Sequence, residues 1–206
     1  MDKQLTLYDY VSYVVPGGLL LFVIVYGYDG WPRAEPGSSG LIGIIAAAFV
    51  VGHVVAVVGT WVEAAFLGGR PGRRPDPLWG TLGDRSRYSD EERAELRQRL
   101  LERYGDVEVA VAFRLGQTEL QQAGKDGPMK VATQHLGFAR GLATAALLAL
   151  VVDVVLAIAS GTHLPLVLWI PVLCGVAVAC VVRYRRAWRQ FGDHLIRGVA
   201  VLPPRP

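Results

Sequence analysis

The sequence predicts an all-α integral membrane protein, a four-helix bundle of spans with a small helical cytoplasmic insertion between spans 2 and 3. Three observations predict it. Four stretches are long and apolar enough for a hydrocarbon layer of about 30 Å, which takes about 20 helical residues. Charge is segregated, with 23 of the 39 Asp, Glu, Lys and Arg residues between Gly68 and Gly137. Of the 206 residues 52% are hydrophobic and 19% charged, with mean hydropathy +0.33, against about 25% charged in an ordinary soluble domain. A soluble fold would need four helices apolar all round in a chain too short to bury them.

The first span runs from about Tyr10 to Tyr28, the second from Leu41 to Leu67, the third from Phe138 to Ala159 and the fourth from Leu164 to Val182. Residues 1–67 thus carry spans 1 and 2, residues 68–137 the insertion, residues 138–182 spans 3 and 4, and residues 183–206 a basic tail. Span 1 reads as an uncleaved helix: Lys3 is offset by Asp2 and Asp9, Pro16 and Gly17 interrupt the apolar run early, and no small-x-small cleavage site precedes Trp31. Lys and Arg counts set the orientation. The 29–40 connection has one and the 160–163 connection none, whereas the insertion has twelve and the tail six. Both termini and the insertion are therefore expected in the cytoplasm. Arginine outnumbers lysine 18 to 3 and asparagine is absent, a GC-rich bacterial bias that makes the expected location the bacterial inner membrane. Tyr10, Tyr13, Trp61, Trp169, Tyr184 and Trp188 fall near span ends, where interfacial aromatics belong.

After span 2, Arg70, Arg73 and Arg74 stand in a Pro/Gly-rich segment and are expected to touch anionic lipid head groups. Ser89-Asp-Glu-Glu92 is a capping box and Gly105 a stop, so the stretch between them is the clearest soluble helix. Leu96, Leu100 and Tyr104 form its apolar stripe, and Glu95 pairs with Arg99 one turn on. Alternation of Val107, Val109, Val111 and Phe113 suggests a strand, but the flanking alanines and Gln-rich continuation favour a helix. A turn follows at 124–128, and Met129 leads helically into span 3. In the tail, Tyr184, Trp188, Phe191, Leu195 and Val199 recur at helical spacing. Arg183, Arg185, Arg186 and Arg189 take other faces, as in a helix lying in the inner interface and contacting lipid. A basic stop anchor continuing span 4 reads the same.

No reaction is specified. Cys174 and Cys180 are six residues apart, about 240° around a helix, and cannot form a disulfide with each other. No metal-ligand set, cofactor loop or phosphate loop is present. The insertion's twelve basic residues are balanced by eleven acidic ones, which excludes a nucleic-acid interface. The intramembrane polar candidates are His53, Glu63 and Asp153, costly in hydrocarbon unless partnered. Glu63 sits at the end of its span, where it can reach water. Its ten-residue offset from His53, about 280° and about 15 Å, rules out a dyad on one helix. His53 and Asp153 can reach similar depth on adjacent spans and pair. The small-residue pairs Gly52/Ala56, Gly141/Ala145/Ala149 and Gly175/Ala179 favour close helix packing.

The opening Tyr8-Asp-Tyr-Val-Ser-Tyr-Val-Val-Pro-Gly17, Gly52-His53 with Glu63, and Phe138-Ala-Arg140 resemble a pattern in small uncharacterised bacterial four-span membrane proteins, some of them membrane effectors beside anti-phage systems. The resemblance covers the spans and not the insertion. It implies that Tyr8, Asp9, Pro16, Gly17, His53 and Glu63 are the positions to test.

The leading expectation is an oligomeric, non-enzymatic sensor and effector. Its cytoplasmic part would engage a small anionic ligand or a partner protein, and its spans would change membrane permeability. A membrane-embedded enzyme or transporter using His53, Glu63 and Asp153 is the alternative, and a passive scaffold for a cytoplasmic partner the third.

Overall fold

The computed structural model describes residues 7–29, 38–66, 88–105, 109–160 and 164–202. Six helices and no strand occur among them: α1 (Leu7–Asp29), α2 (Ser38–Phe66), α3 (Asp90–Tyr104), α4 (Val109–Gln122), α5 (Gly127–Ser160) and α6 (Leu164–Ala200). The α2 stretch Gly40–Glu63 and the α5 stretch Gly127–Ala159 are long and apolar enough to cross a membrane, and α1 contains a shorter apolar stretch, Tyr10–Val25.

Local signals set the ends of the polar helices. At α3 the Glu92 amide donates to Ser89 Oγ (3.1 Å) and the Ser89 amide to Glu92 Oε2 (2.9 Å), so the expected capping box forms. Gly105, at φ 73°, closes the helix through its N–H to the Leu101 carbonyl. From Val109 on the alternating segment is helical, as α4; Val107 lies outside the described residues. It ends at Gly124 (φ 65°), after which Lys125 donates back to the Leu120 carbonyl. Pro128 then fits the first turn of α5, where a missing N–H costs nothing.

In the apolar half, α5 is the central helix, packing on α1, α2 and α6. Its slenderness allows this: Ala139, Ala143, Ala145, Ala146 and Ala149 are all buried. Leu20 and Val23 of α1, Val55 of α2 and Leu173 of α6 close around the alanines. Gly141, Ala145, Ala149 and Asp153 lie four residues apart on one buried face. Gly141 leaves room for Pro16, whose Cγ would stand 3.3 Å from an added Cβ.

The α1–α2 contact is closer still. Tyr13 and Gly17 of α1 lie against Gly52 and Ala48 of α2, so the two helices run antiparallel. A Cβ on Gly17 would overlap the Ala48 carbonyl, and one on Gly52 the Tyr13 carbonyl. The pair used is therefore Ala48/Gly52 rather than Gly52/Ala56. Gly175 and Ala179 face outward, with nothing near Gly175.

In the polar half, α3 and α4 pack on the last four turns of α6. Tyr104, Leu120, Tyr184, Phe191, Leu195, Ile196 and Val199 are buried in one cluster with Met129, Ala132 and Leu136 of α5. Leu96 and Leu100 pack against it, so the α3 stripe finds its partner within the chain. The apolar face of the tail, read from sequence as lying in a lipid interface, is covered by protein instead. Tyr184 accordingly is a core residue and not an interfacial anchor.

The α1–α2 contact predicts that Gly17→Ala and Gly52→Ala each destabilise by about 1–3 kcal/mol, the usual cost of overpacking, seen as a lowered melting temperature in detergent. Gly18→Ala, whose Cβ would meet Ala48 Cβ at an ordinary 3.9 Å, is expected to leave the melting temperature unchanged.

Candidate functional site

The densest buried polar chemistry lies where the apolar and polar halves meet. Glu63, three residues from the end of α2, is only 3% exposed. Arg140 Nη1 of α5 reaches its Oε2 at 3.4 Å, and the Tyr184 hydroxyl of α6 donates to its Oε1. Three helices are thereby tied to one carboxylate. Gly59, one turn before Glu63, makes the approach possible, since a Cβ there would stand 3.1 Å from Thr144 Oγ1 and 3.3 Å from Arg140 Cγ. Thr144 Oγ1 and Arg140 Nε are buried beside it without hydrogen-bond partners among the described residues. Arg185 Nε donates to the Phe66 carbonyl at 2.6 Å, satisfying one of the four acceptors that every helix C-terminus leaves open. Glu63 therefore does not reach water, as its position near a span end suggested. A buried carboxylate is tolerated here because a cation and a hydroxyl both face it.

The other expected site residues are scattered. His53 is exposed: its Nδ1 donates to the Phe49 carbonyl at 2.9 Å, and its ring stacks on Tyr13 at 4.1 Å with Phe49 edge-on. Asp153 is 1% exposed, and its Oδ2 has no hydrogen-bond partner among the described residues. The expected His53–Asp153 pair is thus not formed, because the imidazole faces outward and the carboxyl inward. Among the described residues no three His, Cys, Asp or Glu side chains gather as a metal site would need.

Pro16 and Gly17 are buried at the α1 contacts described above. Tyr8 and Asp9 fall in the first turn of α1, with side chains outside the described residues. Arg70, Arg73 and Arg74 lie outside them altogether. Of the four tail arginines, Arg185 is engaged by α2, whereas Arg183, Arg186 and Arg189 are exposed on α6.

No protein-family model, curated protein or solved structure matches the chain. Geometry alone therefore carries the functional reading.

A second polar node joins α3 to α4. Arg103 Nε and the Tyr104 hydroxyl both donate to Glu119 Oε2, at 2.8 and 3.0 Å. Gly116 admits the Tyr104 hydroxyl and Val199. Burial, together with the Glu119 carboxylate, pushes the Tyr104 hydroxyl up to about 12. Beside this node, a cleft of about 380 Å³ opens between α3 and the end of α6. Leu96, Leu100, Ile196 and Val199 form its apolar walls, and Arg99 and Glu102 contribute charge. Its size and lining suit a small ligand or an inserted side chain.

Arg140, Tyr184 and Glu119 were not singled out as site residues from sequence. A signal existed for the first: opposite charges at the facing ends of adjacent spans.

Removing one partner of a buried pair strands the other. Glu63→Gln and Arg140→Met are each expected to destabilise by about 3 kcal/mol, and Tyr184→Phe by about 1.5 kcal/mol, the worth of a hydrogen bond to a charged group. Thermal unfolding in detergent measures all three.

Because Tyr104 is raised in the folded state, the neutral phenol is favoured there. Its contribution to stability is full below about pH 10, the ordinary tyrosine value, and is lost as pH rises through about 12. Ultraviolet titration of phenolate is expected to show a late-titrating tyrosine that is lost in Tyr104→Phe.

Proposed function

We propose that the chain is a four-span, oligomeric protein of the bacterial inner membrane, acting as a sensor and effector. Its cytoplasmic helical module engages a ligand or partner, and its spans alter membrane permeability in response.

The membrane part of this reading is supported by where apolar surface lies. Only 17% of the α2 stretch and 33% of the α5 stretch is buried within the chain, unlike the sheltered helices of a soluble core. Large apolar side chains are exposed on all four long helices: Val15 and Val25 of α1, Ile42 and Val54 of α2, Val155 and Ile158 of α5, and Val172 and Val178 of α6. A water-facing surface rarely carries a continuous apolar patch of this extent, whereas lipid accepts it. Small residues inside and large ones outside is also how membrane helices pack, since lipid provides no hydrophobic force between them.

The observation that carries the sensing part is continuity. α5 and α6, of 34 and 37 residues, run unbroken from the module into the apolar half. At the boundary Glu63, Arg140 and Tyr184 lock them to α2. A ligand that shifts α3 or α4 on α6 acts directly on a helix that continues as a span. The cleft between α3 and α6 offers a place for one.

One observation favours the second reading, a membrane-embedded transporter or enzyme: the buried, unpartnered Oδ2 of Asp153. His53 and Glu63 do not join it, since both are engaged elsewhere. That reading expects Asp153→Asn to abolish function with the fold intact, while the sensor reading expects it to retain function.

Topology reporters fused after Gly37 are expected to register the outside, and those fused after Ser86 the cytoplasm. Reconstituted protein is expected to be oligomeric, with Glu63→Gln changing ion leak from liposomes several-fold. Monomers that pass neither ions nor dye in either form would contradict the effector reading.

A further inference from the structure

Along α6, Ala179, Val182, Arg186 and Gln190 follow one another at three- and four-residue steps, and Arg183 stands four after Ala179 and three before Arg186, so the five share one helix face. With His135 of α5 they line a groove of about 430 Å³. From this we infer that the groove is a binding site for a phosphate-bearing anionic group, namely the head group of an acidic phospholipid or a soluble phosphate. The inference rests on the four-span reading for the lipid source, but not for the phosphate chemistry.

Three features carry it. The first is charge without a counter-charge. The other arginines near α6 are engaged, Arg185 by the Phe66 carbonyl, Arg140 by Glu63 and Arg197 by Asp193, whereas no ion pair joins Arg183 or Arg186 to an acid of the described chain. Two guanidinium groups one turn apart offer planar forks of N–H donors, which match phosphate oxygens better than ammonium groups do.

The second is the polarity step along the groove. Ala179 and Val182 form its apolar end, with the exposed Val178 on the adjoining surface, and the arginines begin at the residue after Val182. An acyl chain against the valines would bring its phosphate to Arg183 and Arg186. Gln190, one turn further, could accept or donate to the polar remainder of a head group.

The third is depth. Tyr184, within the same turn as Arg183 and Arg186, bonds to Glu63, the residue at which the apolar α2 stretch ends. The groove thus opens at the level where spans would leave the hydrocarbon. Basic pockets between helices at the inner face of a membrane are established head-group sites. Three of the tail arginines therefore divide by function, with Arg183 and Arg186 binding the ligand and Arg185 holding the end of α2.

The full chain in detergent is titrated with phosphatidylglycerol, with phosphatidylcholine and with inorganic phosphate, following melting temperature. Phosphatidylglycerol is expected to stabilise wild type, with affinity about fivefold weaker for each arginine lost and about 25-fold weaker in Arg183→Gln/Arg186→Gln. Arg114→Gln, exposed on α4 and away from both the groove and the cleft, is expected to respond as wild type does. Response to the lipid alone assigns a head-group site, and a response also to inorganic phosphate assigns a soluble anion; either supports the proposal. An equal response in the double Gln variant, or an equal response to phosphatidylcholine, overturns it. Should the Gln variant fold poorly, Arg183→Lys/Arg186→Lys keeps the charge but not the fork, and must bind more weakly than wild type. Carbonate extraction of membranes, run in parallel, tests the spans separately: release of the chain would sink the four-span reading while leaving the phosphate titration to decide the groove.

Discussion

A single carboxylate, Glu63, fixes how the two halves of this protein meet. It is buried at the end of the longest apolar stretch of α2, where an unpaired charge would be costly. Arg140 and Tyr184 come to it from α5 and α6, two helices that the alanine-rich face of α5 already holds together. The junction sets axial register: α2 cannot slide on α5 by one turn without stranding the charge. Upstream of it the helices are separated by Ala and Gly; downstream, Tyr184, Phe191 and Leu195 begin the aromatic and aliphatic cluster that α3 and α4 complete. A change of packing on one side therefore reaches the other through rigid helices and not through a linker.

Different forces shape the two halves. Around α1, α2 and α5, close approach comes from missing side chains, as at Gly17 and Gly52, and van der Waals contact between backbones dominates. Around α3 and α4, side-chain burial and the shared acceptor Glu119 dominate. The small-residue half tolerates no added methyl at its crossing point, while the module relies on caps and a polar node, features that a ligand can perturb at modest cost. Under the proposed function, the module is the responsive part and the apolar helices the part that transmits.

Much of this was legible in the sequence where the cause is local. Ser89 with Glu92, Gly105, and the Leu96/Leu100/Tyr104 stripe act within a few residues, and each does what its type and spacing require. The alternating Val109, Val111 and Phe113 at the start of α4 were ambiguous because a short run satisfies both periods, and the alanines around them correctly favoured helix. The tail shows the limit of pattern reading. Tyr184, Trp188, Phe191 and Leu195 define an apolar face, but periodicity is blind to whether lipid or protein covers it. Glu63 and Arg140 stand 77 positions apart, so their pairing follows only from the register of two spans. His53 and Asp153 looked matched by depth, yet rotation about the helix axis, which depth cannot specify, turns one outward and the other inward.

The central claim is that module and spans move as one body through the Glu63 junction. Hydrogen–deuterium exchange of the full chain in lipid nanodiscs, comparing wild type with Glu63→Gln, tests it most directly. The account predicts faster exchange in the variant not only at 60–66 of α2 but also along 184–199 of α6 and in α3 and α4. Faster exchange confined to the residues around position 63, with the module unchanged, would contradict it.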